Sequence, residues 1–157
     1  MSIRHKARSS AVQVLASVTW RNTVLTDDVQ KTIENVKEEF FPQTRENEFF
    51  ESLIFGVIKN RTELDAIIQN HAPKFKVVNL SAIDRVIIEI GMYELIHTKT
   101  PAPIVINEAV ELAKEFGDEG TPRFVNGVLS TYFRKKGDAE KADLTNPAES
   151  IETSENV

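Results

Sequence analysis

The 157 residues contain no cysteine, which excludes disulfide scaffolds, thiolate zinc sites and cysteine nucleophiles and allows a reducing compartment. Glycine and proline number six each, too few for a collagen-like or low-complexity chain. No apolar run approaches the roughly 20 residues that cross a bilayer, and Met1 to Ser10 lacks the apolar stretch of a signal peptide. No membrane association is therefore expected, and the cytoplasm is the expected compartment. A Walker-type phosphate loop, a G-x-G-x-x-G dinucleotide loop, an H-E-x-x-H zinc helix and a G-x-S-x-G elbow are all missing. The three histidines stand apart at positions 5, 71 and 97. The pattern points to no catalytic residue, no metal and no cofactor. What is present, 41% hydrophobic and 27% charged residues, suits one globular domain.

The formal net charge of −5 is unevenly placed. Residues 137–157 carry six acids against Lys141 alone, so the other 136 residues balance at 18 of each sign. The last 21 residues also lack aromatic side chains and cannot bury enough apolar area to offset ordering. The chain divides accordingly into a body, residues 1–136, and an acidic tail, 137–157, expected to be disordered.

Within the body the apolar residues recur at steps of 3 and 4, the helical period. Ala7, Ala11, Val14, Leu15 and Val18 mark a first helix from Ile3 to about Trp20. Val29, Ile33, Val36 and Phe40 mark a second, capped by Thr26 and ended by Pro42; Phe50, Leu53, Ile54, Val57 and Ile58 mark a third, starting near Thr44. Thr62-Glu63-Leu64-Asp65 reads as a capping box and so as a fresh start, leading through Leu64 and Ile68 to His71. Ser81 caps a segment to His97 that is apolar on nearly every side and should be central. Ile106 to Phe116 and a Thr121-Pro122 start complete about seven helices. Asn126-Gly127 resembles a hairpin turn, but its flanks are too short for strands; Gly127 is expected to admit a neighbouring helix. The expected class is all-α.

One cluster carries a chemical signal. Arg4, His5, Lys6 and Arg8 put cations at a helix start, where the dipole favours acids. Arg4 and Arg8 are one turn apart, and the arginine fork suits phosphate and base stacking. Binding of RNA or DNA is one reading; a frayed, solubilising terminus is the plainer one. His71, on the Leu64–Ile68 stripe, reads as a hydrogen-bonded core or boundary residue.

Four stretches resemble the bacterial NusB transcription antitermination family. They are Arg4-His5-Lys6-Ala7-Arg8 followed by Ala11 to Leu15; Ile83-Asp84-Arg85 through Tyr93-Glu94-Leu95; Pro103 through Ile106-Asn107-Glu108-Ala109 to Lys114; and Phe124-Val125-Asn126-Gly127-Val128-Leu129. The match runs over about residues 3–135. The resemblance implies two small packed helical bundles. It also implies binding of the boxA element of ribosomal RNA leaders together with NusE, a small-subunit ribosomal protein, in a complex joined to transcribing RNA polymerase. It assigns RNA binding to Arg4, His5, Lys6 and Arg8 on one side and to Gly120 and Phe124 at the start of the last helix on the other, with NusE on the second bundle. His5 and Lys6 replace two arginines common in the family, Ala16 stands where some members carry an aromatic, and Gly120 where some carry an acid. A helical protein-interaction adaptor with the same fold and little RNA binding is the alternative. A homodimer hiding the basic edge stays open.

Overall fold

The computed structural model describes residues 2–20, 27–40 and 45–145. Its elements are α1 (Ile3–Trp20), α2 (Asp27–Phe40), α3 (Arg45–His71), a 3-10 turn (Val77–Asn79), α4 (Ala82–His97), α5 (Ala102–Phe116) and α6 (Thr121–Thr145). The all-α expectation holds, with six α-helices among the described residues in place of about seven. The expected cap at Thr26, the Pro42 stop and the Thr44 start lie outside the described residues. No helix among those described is long and apolar enough to cross a membrane, and no group of three potential metal ligands occurs among them.

The difference in helix count arises in α3. The Thr62–Asp65 box starts nothing: α3 runs unbroken for 27 residues. Phe50, Leu53, Ile54, Val57, Leu64 and Ile68 are all buried on one stripe, so tertiary packing holds the helix through its local start signal. Arg61 pins the join. Its Nε and Nη2 donate to Glu89 at 2.9 Å each, and Nη2 also donates to Thr19 Oγ1 at 2.7 Å.

α4 is the central element, packed against α1, α3, α5 and α6. Ser81 caps it as expected, accepting from the Asp84 N–H at 3.1 Å. Val86, Ile87, Ile88, Ile90 and Met92 are buried, and so are Glu89 and Glu94. The two glutamates of this helix therefore lie inside the protein, each carboxyl group held by a guanidinium from another helix. Burial pushes the Glu89 carboxyl up to about 8; the neighbouring Asp65 adds to the rise and Arg61 opposes it. Core side chains from the α1–α3 half and the α4–α6 half join in one cluster across α4.

Glycine marks two close approaches between helices. A Cβ on Gly56 would strike the Tyr93 ring, and one on Gly91 would stand 2.7 Å from Leu129 Cδ1, where α3 and α6 close on α4. Gly127 does not do what its sequence suggested: nothing lies within 4 Å of where its Cβ would be. Gly127→Ala is therefore expected to stabilise the protein by about 0.5–1 kcal/mol through helix propensity and a restricted unfolded chain. Gly56→Ala should cost about 1–3 kcal/mol by overpacking. Urea denaturation of the two variants checks the contrast, and a destabilised Gly127→Ala would contradict the open site.

The boundary of the tail also moves. α6 continues to Thr145, past the expected limit at residue 136, and its residues 138–142 are exposed. Ala139, Glu140, Lys141 and Ala142 are good helix formers, so the helix extends without burying anything. Residues 146–157, the rest of the expected tail, lie outside the described residues.

Candidate nucleic-acid interface

The start of α1 sorts its four cations into different environments. Ser2 caps the helix, its Oγ accepting from the His5 N–H at 3.1 Å, and no acid stands in the first turn. Arg4 is exposed, with its guanidinium 4.4 Å above the Phe49 ring of α3. Lys6 is exposed, its Nζ 4.2 Å above the Phe40 ring of α2. Neither has a carboxylate partner among the described residues. These two can meet a phosphate.

Arg8 cannot. It is 2% exposed, and its Nε and Nη2 donate to the two oxygens of Glu94 at 2.8 Å each. The expectation that Arg8 joins Arg4 on a phosphate-binding edge is corrected here: the two share the Phe49 ring, but Arg8 turns inward to neutralise a buried acid of α4. His5 is half-way between. Nδ1 lies 2.7 Å from Glu108 Oε2 and Nε2 3.1 Å from Glu115 Oε2, both on α5.

Burial lowers the His5 pKa, but hydrogen bonds and charge from Glu108 and Glu115 outweigh it, and the net shift is upward from 6.5. A histidine raised in the folded state stabilises fully below the unfolded pKa, and that contribution is lost as pH rises through the folded value. The difference in melting temperature between the protein and His5→Gln should therefore shrink as pH rises from about 6 to 8. A difference that stays constant over this range would mean that the imidazole is not charged between the two acids.

The second edge is the turn into α6. Asp118 Oδ1 accepts from the Gly120 N–H at 3.2 Å, and Asp118 N–H donates to Thr121 Oγ1 at 3.1 Å. Thr121 is buried, and its hydroxyl lies 2.9 Å from Asp84 Oδ1 and 3.1 Å from Asp118 Oδ1. Thr121 is the first residue of α6 and ties the turn to the start of α4. Gly120 is exposed, and Phe124 is half-buried against the core. The Phe124 ring meets the Phe75 ring edge to face, centroids 5.1 Å apart.

The two edges flank one helix. Ser9 Oγ donates to Glu115 Oε1 at 3.1 Å and His5 reaches the same carboxylate, one residue before α5 ends at Phe116. The turn carrying Gly120 follows directly. The structure thus brings the α1 start to the C-terminal end of α5, beside the second edge, but over ground lined by Glu108, Glu115 and Asp118. Two further groups were not found from sequence. A hollow of about 660 Å³ beside Arg4 includes Lys99 and Thr100. The turn after α3 displays Lys74, Phe75 and Lys76, all exposed. An aromatic between two lysines directly after Pro73 was the signal available for the second.

Comparison with known proteins decides the family. A family model described as the NusB family matches residues 5–134. The transcription antitermination protein NusB of Chloroflexus aggregans is 40% identical over 137 residues, covering 83% of this chain and 86% of that one. The chain belongs to the NusB family. It is a transcription antitermination protein of a non-enzymatic family. The NusB of Lysinibacillus sphaericus is 37% identical over 130 residues, 82% of this chain and 95% of that one. Among solved structures, NusB of T. maritima superimposes with a TM-score of 0.73 at 28% identity, covering 82% of this chain and 89% of that one. A crystal structure of antitermination factors NusB and NusE in complex with dsRNA aligns with a TM-score of 0.71 at 28% identity, covering 86% and 98%. The family match begins within α1 and ends within α6, so Lys6, Gly120 and Phe124 fall inside it and Arg4 stands one residue before it.

Proposed function

We propose that the chain binds boxA RNA of ribosomal RNA leaders together with NusE, and that this complex joins transcribing RNA polymerase in the cytoplasm. The observation that carries the reading is the pair Arg4 and Lys6: solvent-facing cations without carboxylate partners among the described residues, at a helix start whose dipole disfavours them. A polyanion resolves that arrangement. Gly120 and Phe124 form the second side of the RNA path, and His5 lies between. A solved NusB–NusE–dsRNA complex supports an assembly of this kind of chain with NusE and RNA. NusE docks on the α4–α6 half, where α5 and α6 leave a groove of about 640 Å³ with Ile106, Val110 and the exposed Phe133 in its walls.

A protein adaptor with little RNA binding is the second reading, and the neutralisation of Arg8 and His5 by Glu94, Glu108 and Glu115 favours it. Equilibrium titration of boxA RNA and a scrambled RNA, each with and without NusE, separates the two. Tighter binding of boxA with NusE present is the expected result; equal, weak binding of both RNAs favours the adaptor. A second copy covering Arg4 would compete with RNA, so the titration belongs at concentrations where sedimentation gives a monomer.

A further inference from the structure

The Lys74–Phe75–Lys76 turn is fixed by its neighbours although its side chains face solvent. The Gln69 side-chain amide donates to the carbonyls of Ala72 and Phe75, and its Oε1 accepts from the Val77 N–H at 3.0 Å. The Phe75 N–H donates to Ala72 O at 3.1 Å. On this clamped backbone Phe75 is 52% exposed and its ring stands edge to face with that of Phe124. Lys74, Lys76 and Arg123, the residue before Phe124, are all exposed, and no ion pair engages them among the described residues.

An open ring on a rigid turn between unpaired cations matches what a single-stranded nucleic acid requires: a π-face for a base and ammonium groups for the phosphates on either side. An apolar peptide would need a contiguous apolar patch, whereas the residues flanking Phe75 in the turn are lysines, and among the described residues Val78 is the exposed large apolar side chain next to it in sequence, beyond Lys76. We propose that Phe75, with Lys74, Lys76 and Arg123, forms a base-stacking subsite for single-stranded RNA that continues the path from Phe124. This rests on the RNA-binding reading above and adds to it a segment of the chain between α3 and α4.

The full chain is titrated with boxA RNA at several salt concentrations, with and without NusE, and each variant is melted thermally. Phe75→Ala should weaken binding about 5- to 150-fold with the salt slope unchanged. Phe75→Leu, which keeps apolar bulk without a π-face, should behave like Phe75→Ala, whereas Phe75→Tyr should bind as the natural protein does. Lys74→Gln with Lys76→Gln should instead reduce the slope of log K against log salt by about 1.4, at about 0.7 per phosphate contact. Unchanged RNA affinity in a folded Phe75→Ala overturns the subsite and leaves the RNA reading standing. Natural affinity in Phe75→Leu, or a loss confined to NusE binding, also overturns it, since either describes an apolar protein contact. Absence of RNA binding by the natural chain under both conditions overturns the subsite and the reading it rests on.

Discussion

Arg8→Ala is expected to destabilise the protein by about 3–5 kcal/mol in urea denaturation, which is enough to unfold many domains of this size. The side chain it removes is almost wholly buried and makes two 2.8 Å hydrogen bonds to Glu94, itself buried on the central helix. Truncation leaves the Glu94 carboxylate without its bidentate partner in a site that water does not reach, and the desolvation penalty of that charge then stands uncompensated. Arg8→Lys should recover only part of the loss, because an ammonium is a point donor and cannot span both oxygens. Arg8→Met with Glu94→Leu should recover more, since removing both charges removes the penalty. A double variant no more stable than Arg8→Ala alone would contradict the buried pair as the cause. The result also bears on function: where Arg8→Ala unfolds the protein, lost RNA binding in it says nothing of contact with RNA.

Ile87→Ala should cost about 2–5 kcal/mol. Ile87 is 0% exposed, on a helix contacted by four others, so little backbone can collapse into the cavity left behind. Ile90→Ala, in the same helix and equally buried, should fall in the same range. Ile104 on α5 is half exposed, and Ile104→Ala should stay within about 0.5 kcal/mol unless the residue serves a partner. A loss below about 1 kcal/mol for both α4 variants would mean that the central helix is not the core of the fold.

The helices were legible because burial writes a period into the chain. The stripe from Ala7 to Val18 and the all-round apolar run from Ile83 to Ile96 each correspond to one observed helix. The errors share a physical cause. The Thr62–Asp65 capping box is a real local preference, overridden by an unbroken buried stripe and by Arg61 bonding to Glu89, 28 residues away. The fate of Arg8 depends on Glu94, 86 positions along the chain, and nothing near Arg8 announces that partner. Helical spacing put Arg4 and Arg8 on one edge correctly, but which of the two reaches water is set by α4 and α5. Gly127 shows the limit in reverse: its composition signal implied a close neighbour, and tertiary packing supplied none. The resemblance to NusB suggested the residues of both edges, whereas Phe75 and its lysines came from the structure, as an exposed residue beside Phe124.

The most direct test of RNA binding at the start of α1 is the salt dependence of boxA RNA affinity for the natural protein and for Arg4→Gln with Lys6→Gln. Both side chains are exposed, so the double variant should melt at nearly the natural temperature. Its affinity should fall, and its slope of log K against log salt should decrease in magnitude by about 1.4, two phosphate contacts at about 0.7 each. An unchanged slope and affinity in this folded variant would show that the α1 start does not face RNA.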